Sequence, residues 1–304
     1  MPSSSSDSTL ELSIVGRFPS ADMDRLVAAS QPLDALREPR RVIVDLSRLR
    51  NISAPGIAVL VCSLRNVDAR GVVEAGSMII APHDQQVAAR IQEFGFLASL
   101  SEDHAASFSP KPENGSRPCR VFSATDKPGE IATDLTDAIA EVCQTDTVSR
   151  STTWFTLNEI AQNVVDHASS PGGAVAIAET ESGGTELEVA IVDRGVGVRT
   201  SLAANPDYRE LSSDLEALRA ALRAGVTGRT DKPGGLGLFF TRVLLQANGG
   251  ILVVRSGTAR VATGAVYEEE FNLVAMRGTL VTFSFRTDRP FSLEPLLQVA
   301  GELR

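Results

Sequence analysis

Glu159 and Asn163 lie four residues apart in the stretch "TWFTLNEIAQNVVDHA", residues 153–168. Trp154, Leu157, Ile160, Ala161, Val164, Val165 and Ala168 recur at helical spacing, so the stretch reads as a helix with an apolar stripe. Residues i and i+4 share a helix face, which sets the carboxylate and the amide side by side. Gln162 and Asp166 flank them. Two readings fit: a solvated outer face, or a metal–nucleotide site.

Three further stretches bear on that choice. In "VDRGVGV" an apolar strand ends in Asp193, followed by Gly195 and Gly197. A carboxylate there can accept a hydrogen bond from an exocyclic amine such as adenine's, and the glycines let a ligand approach the main chain. The same pattern also makes an ordinary turn. In "GVTGRTDKPGGLGLFF" Gly234, Gly235 and Gly237 precede a helix, and free N–H groups at a helix start favour phosphate. Arg229 and Lys232 stand where they can meet negative charge, and the segment is long enough for a lid. The other reading is a flexible turn before a helix. In "RGTLVTFSF" Thr279 can bring a hydroxyl near a base; taken alone, the stretch is simply a strand.

Composition narrows the class. Of 304 residues, 43% are hydrophobic and 22% charged, as in ordinary folded protein, and the length suits two domains. The net charge is −9, and residues 1–110 and 111–304 are both mildly acidic, with 10 basic against 13 acidic and 19 against 25. Neither part reads as a direct nucleic-acid binder driven by phosphate neutralisation. Cys62, Cys119 and Cys143 are far apart and odd in number, so no metal-ligand spacing or disulfide framework is expected and a reducing cytoplasm fits. No signal peptide or membrane-spanning apolar run is visible.

The elements that must position these residues follow from periodicity. Residues 1–8 are Ser-rich and read as a disordered tail. Strands at 10–16, 40–47 and 77–82 alternate with helices at 21–30, 54–71 and 83–96, which implies a parallel α/β sheet over 9–100. Pro55 sits in the first turn of the second helix and Gly71 stops it. Residues 101–118, rich in Pro and Ser, read as a mobile linker. Beyond it, helices at 128–143, 153–168 and 237–248 accompany strands at 119–124, 173–180, 186–193, 250–257, 266–273 and 278–286, which suggests an α/β sandwich with a mixed sheet over 119–304.

In this order and spacing the four stretches resemble the GHKL superfamily of ATPases, which includes histidine kinases, gyrase-type topoisomerases, heat-shock chaperones and anti-sigma-factor serine kinases. "NEIAQNVVDHA" resembles the family's N box, "DRGVGV" its first glycine box, "GGLGL" its second, and "GTLVTF" its final strand motif. The resemblance covers about 119–290 and implies a Bergerat-type sandwich that binds ATP and Mg2+. It implies that Asn163 coordinates Mg2+, that Glu159 is the general base, and that Asp193 reads the adenine amino group. Gly195, Gly197, Gly235 and Gly237 would admit base and phosphates, with Leu238 and Thr279 alongside and Arg229 on the phosphates. His167, one turn after Asn163, either touches a phosphate or ends the helix in solvent.

The chain lacks a histidine on a long helical hairpin ahead of the site, and no transducer-sized region follows the last motif, so the compact anti-sigma-factor serine kinases are the most similar members. Residues 9–100, with "VIVDLSRLRNISAPGIAVLVCSLRNVDARG", resemble the STAS domain of anti-sigma-factor antagonists. Where that family carries its phosphorylated serine, this chain has Ala54, with Ser53 one residue early. The expectation is therefore a cytoplasmic partner-switching regulator, with possible serine/threonine kinase activity towards a separate STAS-like antagonist or a sigma-factor-like regulator. Its own STAS-like part would dock permanently as a regulatory or scaffolding unit, and a homodimer is compatible. The alternative is a nucleotide-gated interaction switch without phosphotransfer.

Overall fold

In the computed structural model the chain is a mixed α/β protein in which every predicted strand–helix alternation has a counterpart. The structure describes residues 9–94, 96, 119–143, 146–180, 185–231, 234–296 and 298. The predicted tail at 1–8, the predicted linker at 101–118 and Lys232 lie outside the described residues.

The first third begins with β1 (Leu10–Ser13), β2 (Gly16–Phe18) and α1 (Met23–Ala35). The strand expected over 10–16 is broken, because Gly16 takes a φ of +104° and turns the chain. Helix α1 runs past its predicted end and holds Pro32 in its last turn. Then come β3 (Val42–Asp45), β4 (Leu49–Ile52), α2 (Ala54–Ala69), β5 (Met78–Ile80) and α3 (Gln85–Glu93). Strands β1, β3 and β5 form a parallel sheet, as the alternation predicts, and β2 pairs with β4. β4 had no sequence signal, because its two central residues are polar and exposed.

Helix α2 is apolar on every side, and 13 of its 16 residues are buried. Ser53 caps it by accepting from the Gly56 N–H. A helix that is hydrophobic all round needs cover all round. The second cover comes from the other part of the chain.

That part contains β6 (Cys119–Phe122), α4 (Pro128–Cys143), α5 (Thr147–Asn163), a π-helical turn (Val164–Ala168), β7 (Ala174–Thr180) and β8 (Glu186–Asp193). Next are α6 (Val198–Leu202), α7 (Asp214–Ala221) and α8 (Gly237–Asn248). The strands β9 (Ile251–Gly257), β10 (Ala259–Gly264), β11 (Glu268–Glu270) and β12 (Met276–Arg286) complete it. Seven strands form one sheet in the order β11-β10-β9-β12-β8-β7-β6. Every neighbouring pair is antiparallel, so the expected mixed sheet is corrected. The reason lies in the connections. Two helices, α4 and α5, separate β6 from β7 and return the chain with reversed direction. β8 and β9, joined through α6 to α8, are not neighbours because β12 lies between them.

Both faces of this sheet are covered, which is why β7 and β8 read as nearly unbroken apolar runs. Alternate residues point to opposite faces. Leu187, Val189 and Ile191 of β8 join the core beneath α4, α5 and α8. Ala190 and Val192, with Val175, Ile177 and Leu280, join the core of the N-terminal third. At roughly 1.5–3 kcal/mol per large buried side chain, Val175, Ile177, Val192 and Leu280 alone hold the two parts together by on the order of 10 kcal/mol. Polar contacts add to this: Arg90 pairs with Glu179 at 2.6 Å, Ser20 donates to Glu188 at 2.9 Å, and Arg255 pairs with Asp24. The N-terminal part is thus docked on the back of the sheet.

Two sequence readings are revised in α5. The helix starts at Thr147, capped by Asp146, six residues before the predicted start. Trp154 is 38% exposed rather than part of the apolar stripe, and its indole N–H donates to Thr133 at 3.0 Å. Among the described residues no helix is long and apolar enough to cross a membrane.

Candidate functional site

The predicted residues gather at one end of the seven-stranded sheet. A cleft opens there between α5 with its π turn, the ends of β8 and β12, α6, and the segment leading into α8. Asn163 and His167 line one wall, Asp193 and Thr279 the floor, and Gly197, Gly235, Gly237 and Leu238 the opposite side.

Strand pairing makes the floor. Thr279 of β12 stands in register with Asp193 of β8, so both side chains face the same way. Asp193 is buried, and burial lifts its carboxyl from 3.8 to about 6. The Gly195 N–H at 2.8 Å, the Arg194 charge and the Thr279 amide and hydroxyl act in the opposite sense. The result is a buried carboxyl group on the floor of the cleft, already bonded to Gly195 and Thr279.

The wall is α5. Where it passes into a π turn, the backbone widens by one residue, an irregularity often found at functional sites. Ser169, at φ +51°, ends the turn. His167, in this turn, lines the cleft. Glu159 is not part of the lining. It lies one turn before Asn163 against Gly237, where an added Cβ would meet Glu159 Oε2 at 2.9 Å and Asn163 Nδ2 at 3.5 Å. Partial burial raises its carboxyl pKa above its ordinary value.

The far side is the start of α8. No side-chain oxygen caps this helix, so its first N–H groups are available to an anion. Gly235, at φ +77°, lets the chain turn tightly past Val226, and the Gly225 N–H donates to the Gly235 carbonyl at 3.0 Å. Asn205 donates to the Thr227 carbonyl at 3.0 Å and holds the preceding loop.

Two expected residues have other tasks. Gly195 is outside the lining; a Cβ there would collide with the Ala168 carbonyl at 1.7 Å, so its lack of a side chain serves the packing of the π turn. Arg229 is engaged by two carboxylates, Asp166 at 3.0 Å and Asp231 at 2.7 Å, which hold it firmly protonated. Reaching a ligand would require it to leave Asp166. Sequence reading missed Ser201 and Leu202 of α6 and Thr227 and Gly228 of the loop, all of which line the cleft. Helix α6 has only five residues, too few for a periodic signal.

The donor set fits adenosine phosphate. Ile160, Ile191, Val198 and Leu202 give apolar walls for a base, Asp193 an acceptor for its amine, and the α8 start a seat for phosphate. Among the described residues no group of three His, Cys, Asp or Glu can hold a metal. A magnesium ion would therefore rest on Asn163 and on ligand oxygens, which suits an ion that keeps several waters. No protein-family model and no curated protein matches the chain.

Proposed function

We propose that the protein binds ATP with Mg2+ and acts as a signalling regulator of partner-switching type, with serine/threonine kinase activity towards a separate STAS-like antagonist. One observation carries the reading: side chains from four stretches spread over Asn163 to Thr279 meet in a single cleft, each with chemistry suited to a different part of the nucleotide.

Asp193 would accept from the adenine amine. The α8 start would hold the phosphates, with Arg229 joining them. Asn163 would ligate the ion, which neutralises phosphate charge when bound. Glu159, beside the α8 start, would take the proton from the attacking hydroxyl or water. The test is transfer from labelled ATP to candidate STAS-type proteins. A phosphoprotein that is lost with Glu159→Ala supports the kinase reading; ATP binding with no transfer to any partner removes it.

A second reading, a nucleotide-gated interaction switch, draws on a different observation. Ala54, at the acceptor position by resemblance, is wholly buried, and α2 is packed between α1 and strands β7 and β8. In that reading nucleotide closure changes the surface offered to a partner, with no chemistry. It predicts ATP binding without product formation.

A further inference from the structure

Arg194 is wholly buried and heads the largest such side chains among the described residues. It follows Asp193 directly, so the alternation of β8 sends it to the opposite face, away from the cleft and into the N-terminal helices. Burying a guanidinium costs several kcal/mol unless it is paired and hydrogen-bonded. The partners come almost entirely from the other part of the chain. Its Nε donates to Ser63 Oγ of α2 at 3.0 Å, and one terminal nitrogen donates to Ser63 and to Ser30 Oγ of α1 at 3.3 Å. The other donates to the Arg277 carbonyl at 3.3 Å and faces the Asp34 carboxylate at 3.5 Å. Ser30 and Ser63 donate their own hydrogens to Val27 and Val59 carbonyls, which leaves oxygen lone pairs facing the guanidinium.

The main chain of Arg194 is clamped as well. Its N–H donates to Ser170 Oγ at 3.2 Å, and its carbonyl accepts from Arg277 Nε at 2.9 Å. Asp193 on one side and Gly195, which donates back to it, on the other are held by the same clamp.

We propose that Arg194 is a positioning residue, through which side chains of α1 and α2 set the stance of the Asp193 carboxylate and so the affinity and base preference of the cleft. The inference rests on the nucleotide reading above. A lysine has no fork with which to meet Ser63, Ser30 and Asp34 together. Linkage makes the coupling reciprocal: nucleotide binding would firm the Ser30 and Ser63 contacts, tying the docked N-terminal part to the state of the cleft.

The test compares the wild type with Ser63→Ala, Asp34→Asn and Arg90→Gln. The last breaks the contact between the parts at Glu179, remote from the cleft lining. Affinity for fluorescent ATP and GTP analogues with Mg2+ is read beside thermal stability. Ser63→Ala and Asp34→Asn should each weaken ATP binding about tenfold and reduce the ATP-over-GTP preference. Arg90→Gln should lower the melting temperature and leave both quantities unchanged. If Ser63→Ala and Asp34→Asn keep wild-type affinity and preference, or if Arg90→Gln changes them equally, the positioning role is overturned while the nucleotide reading stands. If the wild type binds neither analogue, the nucleotide reading fails and this inference falls with it.

Discussion

Gly237 lies so close to Glu159 that a Cβ built on it would stand 3.2 Å from the Glu159 Cβ. The carboxylate can swing aside; the Cβ cannot, so a side chain at 237 must push α8 away from α5. Gly237→Ala should cost about 1–3 kcal/mol through overpacking, partly offset by alanine's better helix propensity of up to about 1 kcal/mol. It should also abolish the thermal shift produced by ATP and Mg2+ while the far-ultraviolet circular dichroism stays native. An undiminished shift would remove Gly237 from the site.

Glu159 separates binding from chemistry. Glu159→Gln keeps the size of the side chain and removes the base. Nucleotide affinity should stay within about twofold, and phosphotransfer or hydrolysis should fall by at least about 100-fold. Single-turnover assays with labelled ATP measure both quantities. Unchanged turnover would assign the base elsewhere.

Asp193 gives a pH signature. Its carboxyl is lifted from 3.8 to about 6. Between these values the folded state holds a proton that the unfolded chain has released, so stability falls as pH rises through this window and stays lower above it. Asp193→Asn removes that penalty. Urea unfolding should show the variant more stable than wild type by on the order of 3 kcal/mol at pH 7.5, with little difference near pH 4. A gain independent of pH would contradict the buried carboxylate.

Arg229 now pairs with Asp166 and Asp231 at a partly exposed position. Such pairs contribute about 0–1 kcal/mol, so Arg229→Ala should barely change stability. It should weaken ATP binding and leave adenosine binding unchanged, because only the phosphates would recruit the guanidinium. Calorimetric titration with both ligands distinguishes this from a purely structural pair, for which neither affinity moves.

Asn163 is the proposed hard ligand of the cleft. Asn163→Ala should remove the part of the ATP thermal shift that depends on Mg2+ and keep the part that does not. Equal shifts with and without Mg2+ in the wild type would remove the ion from the site.

Local patterns made much of this legible. β8 and α8 fall on their predicted ranges, because an apolar run ended by Asp193 and a periodic run starting after glycines leave little freedom. α6 and α7 were hidden in the segment 194–236, since short helices among polar residues and glycines carry weak periodicity. β10 was missed because its alternation continues from β9 with a single residue, Thr258, between them. Trp154 was assigned to the stripe on spacing alone, whereas the buried face of α5 is carried by Ser149, three threonines, Leu157, Ile160 and Ala161.

The sequence by itself determined which groups were available: a carboxylate and an amide one turn apart, an aspartate at a strand end, and a glycine-led helix start. These are properties of residue type and local period. Only tertiary structure decided that β12 would lie between β8 and β9, making the sheet antiparallel and setting Thr279 opposite Asp193. It also decided that α2 would use its second apolar side against β7 and β8, with Arg194 crossing that boundary. The reason is physical. Strand order and the docking of the two parts depend on how large apolar faces cover one another across the whole chain, and no local pattern records which face meets which.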